Sequence, residues 1–144
     1  MTERTVKEII EGQEPVTAPA TTTVHEAARL MKERNIGALL VMEGEKLVGI
    51  FTERDALFRV LAQGLDVKTT TLATVMTHDP QTIPPSSGFA TALQMMHEGK
   101  FRHIPVVENG HVVGIVSVRD ALGPELEAFV YELLRQEQMQ QVLA

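Results

Sequence analysis

One short motif occurs twice in this sequence, each time beginning inside an apolar run and ending in polar residues. The two copies are Gly49–Asp55, with the sequence GIFTERD, and Gly114–Asp120, with the sequence GIVSVRD. A hydroxyl residue at the start of a helix leaves backbone N–H groups and the positive end of the helix dipole facing an incoming anion. The arginine adds charge-assisted hydrogen bonds to phosphate oxygens, and the ionised aspartate, which only accepts, suits the vicinal hydroxyls of a ribose. The motif therefore combines groups that match the polar parts of a nucleotide.

The same spacing also fits a purely structural role. A hydroxyl residue followed three positions later by an acid is typical of a capping box, in which Thr52 accepts from one backbone N–H and Asp55 reaches back to another. For a single copy, capping is the more common explanation. Capping alone gives no reason for glycine, arginine and aspartate to recur together in both copies, so the two interpretations stand side by side.

A second candidate cluster is Arg102 and His103, which precede the apolar run Ile104–Val107. These residues are either solvated charges at the entry of a strand or part of an anion site. They form the densest positive region of an acidic chain, and the equivalent positions of the first copy are Gly37 and Ala38. The two potential sites are therefore chemically unequal, and we expect the better anion site to include Arg102 and His103.

An internal duplication accounts for the paired motifs. Shifting the sequence by 65 residues places 15–57 on 80–122 without a gap, and fifteen of the 43 positions are then identical. The agreement is densest at the end, where Arg54–Leu57 matches Arg119–Leu122. One copy of this length would bury too little apolar surface to be stable alone, so we expect the two copies to pack on each other as one pseudo-twofold unit.

Each copy predicts the same order of elements: strand, helix, strand, strand and helix. In the first copy, a short extended piece at 16–19 leads to a helix capped by Thr22 or Thr23. The apolar runs Ala38–Met42 and Leu47–Phe51 then form an antiparallel hairpin around a polar turn. The fold class is therefore α/β (α+β), with two βαββα repeats.

The repeats, the linker and the tail divide the chain into four segments. A helix is expected to open at Thr52 and at Ser117, and the last segment carries an apolar stripe at helical spacing. That stripe fits either a partner subunit or packing on the chain's own domain, and its members are Leu126, Phe129, Val130, Leu133 and Leu134. We assign repeat 1 to 5–64, a linker with a lead-in turn to 65–75, repeat 2 to 76–123 and a C-terminal helix to 124–144.

Composition and charge disfavour several classes of function. The chain has 144 residues, no cysteine and a net charge of −6. The absence of cysteine removes thiolate nucleophiles and cysteine metal ligands, and it fits a cytoplasmic location. The acidic balance disfavours nucleic-acid binding, and no apolar stretch is long enough for a signal peptide or a membrane helix. The five histidines show no metal-ligand spacing, and no Gly-x-Ser-x-Gly elbow is present, so we expect neither a metal site nor catalysis.

The doubled pattern resembles a tandem pair of CBS (cystathionine beta-synthase) domains, a Bateman module. The resemblance is carried by the two motifs together with 36–41 (IGALLV) and 102–107 (RHIPVV), and it runs from about Thr5 to Leu122. It points to the stand-alone CBS-pair proteins of prokaryotes. It implies a βαββα fold in each copy and clefts between the copies that bind adenosine-containing ligands such as AMP, ADP, ATP or S-adenosylmethionine.

Carried onto this chain, the resemblance implies ligand-binding roles for twelve residues. The ribose would be taken by Asp55 and Asp120, with Thr52 and Ser117 contacting ribose or phosphate. The phosphates would face four basic residues, Arg54, Arg102, His103 and Arg119. The adenine pocket would be lined by Thr17, Thr82, Ile104 and Pro105.

The leading hypothesis is a non-catalytic regulatory module that binds AMP, ADP or ATP between the repeats and acts as an energy or metabolite sensor. One alternative is a module that binds S-adenosylmethionine or NAD. Another is a structural module that dimerises and docks a partner without any small-molecule ligand. No further cofactor is required, a homodimer is expected, and the sequence names no effector protein.

Overall fold

The elements of the chain follow the predicted order. The structure, a computed structural model, describes residues 3–143; Ala144, the last residue of the predicted C-terminal helix, lies outside them. The strands are β1 (Thr17–Pro19), β2 (Ala38–Glu43), β3 (Lys46–Thr52), β4 (Thr77–His78), β5 (His103–Glu108) and β6 (His111–Ser117). The helices are α1 (Val6–Ile10), α2 (Val24–Arg34), α3 (Glu53–Asp55), α4 (Leu72–Val75), α5 (Phe89–Gly99) and α6 (Gly123–Leu143). A π-helical segment, Ala56–Leu61, continues α3, and a 3₁₀ turn, Val118–Asp120, follows β6.

The first repeat is built on a four-stranded sheet with the order β1-β2-β3-β4. β2 and β3 are antiparallel and meet at a tight turn in which Gly44 has φ +60°. β1 runs parallel to β2. α2 is capped by Thr23, whose hydroxyl accepts the N–H of Glu26 at 3.2 Å, and it buries Ala27 and Met31 in the core of the repeat. The hairpin and the cap predicted for this copy are confirmed.

The second repeat has the same hairpin but a shorter sheet. β5 and β6 pair antiparallel, whereas the equivalent of β1 is reduced to one parallel bridge between Ile83 and Val106. A proline explains the difference. In the first repeat the N–H of Leu40 donates to the carbonyl of Val16 at 3.2 Å, and the residue equivalent to Leu40 is Pro105, which has no N–H to donate.

The two repeats exchange their short lead-in helices. α1 packs in the core of the second repeat through Val6 and Ile10, while α4 packs in the core of the first repeat through Leu72 and Val75. The residue boundaries predicted for the four segments follow chain order and take no account of this exchange. They stay a prediction.

A third apolar cluster joins the two sheets. Ala38, Leu40 and Ile50 of the first repeat are buried there, and Val112 and Ile115 of the second repeat pack against them. The hairpins of the two repeats therefore face each other, which confirms the pseudo-twofold arrangement and creates a boundary along which a cleft forms.

The two repeats end differently. After β3, helical structure continues from Glu53 to Leu61. After β6 there is only one 3₁₀ turn, because Ala121 is extended (φ −69°, ψ 129°). A new helix, α6, then begins at Gly123. The helix predicted to open at Ser117 is therefore shortened to a single 3₁₀ turn. Pro124 explains the break, since it lacks the N–H that would bond to the carbonyl four residues earlier.

α6 divides its apolar stripe between two environments. Phe129 packs against the core of the second repeat and meets His97 edge-to-face, with ring centroids 6.0 Å apart. Leu126, Val130 and Leu134 remain 44%, 46% and 53% exposed on the outer face. Across residues 3–143, no helix combines the length and the apolar character needed to cross a membrane.

Candidate ligand-binding site

A cleft lies between the two repeats, where the end of β3 and the start of α3 face the segment that joins α5 to β5. Its volume is about 540 Å³, which is within the range of small-molecule sites. Five of the twelve residues predicted to bind a ligand line it: Thr52, Arg54, Asp55, Arg102 and His103. The motif of the first repeat and the basic pair of the second repeat therefore meet across the boundary of the repeats.

Thr52 and Asp55 form the capping box that their spacing suggests. The N–H of Asp55 donates to Thr52 Oγ1 at 3.2 Å, and the N–H of Thr52 donates to Asp55 Oδ2 at 2.9 Å. Asp55 is only 9% exposed. The cap occupies one carboxylate oxygen while the residue still lines the cleft, so the structural and the ligand-binding interpretations are compatible at this position.

Arg59 lies beside the other carboxylate oxygen of Asp55. Its Nε is 3.5 Å from Asp55 Oδ1, and its Nη1 donates to the carbonyls of Val75 and Met76 at 3.2 and 3.0 Å. These contacts tie Asp55 to the end of α4. Sequence reasoning misses Arg59, although its spacing of four residues from Asp55 is a signal for a contact along a helix.

The opposite wall of the cleft comes from the end of α5. Lys100 caps that helix in the left-handed conformation (φ 58°), and its N–H bonds to the carbonyls of His97 and Met96. The chain then turns through Phe101 to Arg102, whose side chain is exposed. Lys100 and Phe101 also line the cleft, and neither is selected by the sequence analysis.

His103 begins β5 and is half-buried. Burial lowers the pKa of its imidazole below the usual 6.5. Among the charged neighbours, Glu53 and Asp120 raise this pKa, while Arg119 and Arg102 lower it. Because the net direction is downward, the imidazole is mostly neutral at pH 7 in the ligand-free chain.

The second motif has similar local bonding but lies outside this cleft. The N–H of Ser117 donates to Asp120 Oδ2 at 2.7 Å, and the Ser117 hydroxyl is 3.5 Å from the same oxygen. Arg119 pairs with Glu53 of the first repeat, with Nη2 and Oε1 3.6 Å apart. This ion pair uses a positive charge that a phosphate at the second motif would need.

The four residues assigned to the adenine pocket do not line the cleft. Thr17 is exposed on β1, and Thr82 borders an adjoining open cavity of about 620 Å³ that shares Asp79 with the cleft. Ile104 is fully buried in the core of the second repeat, and Pro105 is buried beside it. The ligand-binding roles of all twelve residues stay a prediction.

The cleft lining is suited to a ligand with a flat ring, hydroxyls and an acidic group. Guanidinium, ammonium and imidazole groups face it from both repeats, and it also holds the ring of Phe58, over which Arg54 lies at 5.5 Å. Among residues 3–143, no group of three or more His, Asp or Glu is placed to hold a metal ion.

The duplicated fold and the cleft between its halves define a tandem-repeat module, and comparison with known proteins identifies its class. The chain belongs to the CBS domain family, whose family model matches residues 6–62 and 72–124. A CBS domain-containing protein of Arabidopsis thaliana is 42% identical over 121 residues, covering 83% of this chain and 22% of the relative. The CBS domain-containing protein YhcV of Bacillus subtilis is 38% identical over 98 residues, covering 68% of this chain and 69% of the relative. The chain thus spans only 22% of the Arabidopsis relative that it matches.

Solved structures of CBS proteins share the fold. A CBS-domain containing protein from Agrobacterium tumefaciens is 31% identical with a TM-score of 0.77, covering 87% of this chain and 98% of that one. A CBS domain protein from Pyrobaculum aerophilum, complexed with AMP, is 25% identical with a TM-score of 0.78, covering 89% and 99%. The CBS domain pair of protein MJ0100, in complex with 5′-methylthioadenosine and S-adenosyl-L-methionine, is 30% identical with a TM-score of 0.73, covering 83% and 93%. A hexameric CBS-CP12 protein from bloom-forming cyanobacteria is 31% identical with a TM-score of 0.74, covering 81% and 68%.

Proposed function

We propose that this chain is a non-catalytic regulatory module that binds an adenine nucleotide in the cleft between its repeats, and that a partner protein reads the bound state. The observation that carries the proposal is the meeting of the Thr52–Asp55 motif with Arg102 and His103 in one cavity of about 540 Å³. The Pyrobaculum aerophilum neighbour, complexed with AMP, supports an adenine nucleotide as the ligand.

In the proposed complex, Asp55 accepts hydrogen bonds from the ribose hydroxyls, and the phosphate lies among Arg54, Arg102 and His103. Arg54 belongs to the first repeat and the other two to the second, so a phosphate between them draws the repeats together. A partner can read this change only if the ligand binds the drawn-together state more tightly than the open one.

The second motif is proposed to bind a nucleotide less well. Arg119 is paired with Glu53, and Gly37 and Ala38 stand at the positions equivalent to Arg102 and His103. A phosphate there meets fewer unpaired cations. We therefore expect one strong nucleotide site per chain.

Calorimetric titration with AMP, ADP, ATP, NAD and S-adenosylmethionine tests the proposal. Asp55→Asn keeps an oxygen that can accept the Thr52 N–H but removes the charge and one acceptor, so it is expected to weaken nucleotide binding by roughly tenfold. The matched control is Asp66→Asn, an exposed carboxylate in the linker, which is expected to leave affinity unchanged. Failure of all five ligands to bind at millimolar concentration would exclude the proposal, and release of phosphate from ATP would contradict its non-catalytic part.

S-adenosylmethionine is the second candidate, because the MJ0100 neighbour holds it together with 5′-methylthioadenosine. The same titration separates the two ligands. A sulfonium cation gains nothing from Arg54 and Arg102, so tight binding of S-adenosylmethionine with weak binding of AMP would favour this candidate.

We also propose that the chain forms a homodimer. The exposed apolar face of α6, formed by Leu126, Val130 and Leu134, is suited to a second copy. The hexameric CBS-CP12 neighbour supports assembly of copies. A purely structural module would dimerise in this way yet show no thermal shift with any nucleotide, whereas a ligand at 100 times its Kd stabilises by about 2.7 kcal/mol.

A further inference from the structure

Two cavities meet at the mouth of the cleft. The cleft continues into an open groove of about 590 Å³ over the C-terminal end of α5. Both cavities are lined by Arg54, Lys100, Phe101 and Arg102. Three cations thus stand where the cleft passes into the groove, one from the first repeat and two from the second.

These three cations lack carboxylate partners within the part of the chain that the structure describes. The four ion pairs among residues 3–143 join Arg4 to Glu125, Arg59 to Asp55, Arg119 to Glu53 and Arg135 to Glu132. Acidic residues outnumber basic ones by 19 to 13 in this chain, so a shortage of carboxylates does not explain why these three cations form no ion pair. The linings also contain carboxylates, Glu53, Asp55 and Asp79 in the cleft and Glu98 in the groove. None of them forms an ion pair with the three cations at the shared mouth, so these cations remain able to attract an anion there.

Lys100 adds an observation from the backbone. It adopts φ 58°, a left-handed conformation that disfavours most side chains, whereas the equivalent end of α2 has Asn35 at φ 53°. Asparagine tolerates this conformation better than most residues, and lysine has no such advantage. Both residues take this conformation because they cap the ends of α5 and α2. The difference between the repeats is therefore the side chain at the cap, and in the second repeat it is a cation that lines the mouth of the cleft.

We propose that Lys100, Arg54 and Arg102 form an outer phosphate subsite, so that the cleft selects adenine nucleotides with two or more phosphates. This inference rests on the proposed function. The first phosphate lies in the cleft among Arg54, Arg102 and His103. Each further phosphate extends toward the groove, where Lys100 meets it together with Arg54 and Arg102, which line both cavities. The second motif has no such subsite, because Asn35, Gly37 and Ala38 replace Lys100, Arg102 and His103.

Titration of the full chain with AMP, ADP and ATP, in the presence of a metal chelator, tests the subsite. In the wild type, ATP is expected to bind roughly tenfold more tightly than AMP, with ADP between them. Lys100→Met is expected to weaken the binding of ATP more than that of AMP, and so to bring the two affinities within roughly threefold of each other. The control is Lys32→Met, an exposed residue in the last turn of α2, which removes the same charge and should leave the preference for ATP intact.

The outcomes separate this inference from the function on which it rests. Equal affinity for AMP and ATP in the wild type overturns the subsite and leaves the nucleotide module standing, while no binding of any nucleotide overturns both. A preference for ATP that survives both Lys100→Met and Arg54→Met overturns the assignment of the residues. Inorganic tripolyphosphate that competes as well as ATP shows a plain anion patch and overturns the selection of nucleotides.

Discussion

His103 stands at the start of β5 between charges of both signs. Glu53 and Asp120 favour its protonation, Arg119 and Arg102 oppose it, and burial outweighs each of them in lowering the pKa of the imidazole. A phosphate beside His103 would reverse this balance, because an opposite charge stabilises the imidazolium. The residue is therefore expected to be neutral without ligand and to take up a proton when a nucleotide binds.

The depressed pKa of His103 predicts weaker folding in mild acid. Because its pKa lies below 6.5 in the folded chain, the unfolded chain binds the proton more readily, and stability rises with pH across this window. The contribution is present above the unfolded pKa and is lost as the pH falls from 6.5 through the folded value. Urea unfolding at about pH 7.5 and about pH 5.5 should show a larger loss for the wild type than for His103→Asn. Equal losses in the two proteins would contradict this linkage.

The sequence predicts the half of the candidate site that is local in the chain. Thr52 and Asp55 are found from their spacing, and Arg102 with His103 from their charge in an acidic chain. Arg59 has a local signal in its spacing of four residues from Asp55, but its bonds to the end of α4 depend on which segments meet in space. The contribution of Lys100 depends in the same way on the opposite repeat. A pattern along one strand or helix carries no such information.

At the scale of elements, two glycines allow each lead-in helix to approach the hairpin of the repeat on which it packs. A Cβ atom on Gly114 would lie 2.7 Å from Cβ of Ile10 on α1, and one on Gly49 would meet the side chain of Met76 beside α4. Glycine thus occurs at the same place in both repeats for a steric reason. Packing alone therefore explains why both motifs begin with glycine, and no ligand is needed to account for it.

Substituting these glycines should destabilise the fold unequally. Gly114→Ala is expected to cost about 1–3 kcal/mol of unfolding free energy, since the β-carbon of Ile10 cannot move without shifting α1. Gly49→Ala should cost less, because the flexible Met76 can repack. Gly123→Ala, where an added Cβ meets nothing within 4 Å, is the control. Urea unfolding that ranks Gly49→Ala as the more damaging change would refute the steric account.

Arg4 joins three elements at the start of α6. Its Nη2 donates to the carbonyl of Asp120 at 2.8 Å, which compensates for the N–H that Pro124 lacks. Its Nε donates to Glu125 Oε2 at 3.0 Å, and its guanidinium lies 5.6 Å from the ring centroid of Phe89. The N-terminal segment therefore anchors α6 where the second repeat has no continuous helix to do so.

Arg4→Met is expected to loosen α6 while keeping the stem that packs on Phe89. The lost charge-assisted hydrogen bonds predict a loss of about 1–2 kcal/mol of stability. Amide hydrogen exchange should accelerate in the first turns of α6 more than in α2, which does not contact Arg4 and serves as the internal reference. Unchanged protection of α6 would show that Phe129 alone holds the helix.

Local signals account for the elements that the sequence predicts, and non-local contacts for those it misses. The hairpins and the Thr23 cap depend on residues a few positions apart, so their patterns are readable. The break after Asp120 is the exception, because it follows from a local signal, Pro124, that the helix predicted at Ser117 does not take into account. The exchange of α1 and α4 depends on which core each helix enters, and no periodicity along the chain records that choice.

For the whole molecule, the exchange makes the repeats interdependent. The core of the second repeat contains α1, which precedes the first repeat in the chain, and the core of the first repeat contains α4, which precedes the second. A shared apolar cluster joins the two sheets. A ligand that bridges Arg54 and Arg102 therefore acts on a pair of halves that fold together. Under the proposed function, we expect its effect to be a change in their relative position.

The exposed apolar face of α6 is the basis of the predicted homodimer. Leu126, Val130 and Leu134 are spaced by four residues, so they lie on one side of α6. These residues are 44%, 46% and 53% exposed. A second copy would bury this strip, which polar substitution should prevent. Light scattering is expected to give twice the chain mass for the wild type and the single chain mass for the variant Leu126→Gln/Val130→Gln/Leu134→Gln. Nucleotide affinity should be unchanged in the triple variant, because none of these residues lines the cleft. The control is Gln136→Ala, an exposed residue on another side of α6, which should remain dimeric. A monomeric wild type, or a triple variant that stays dimeric, would place the interface elsewhere or remove it.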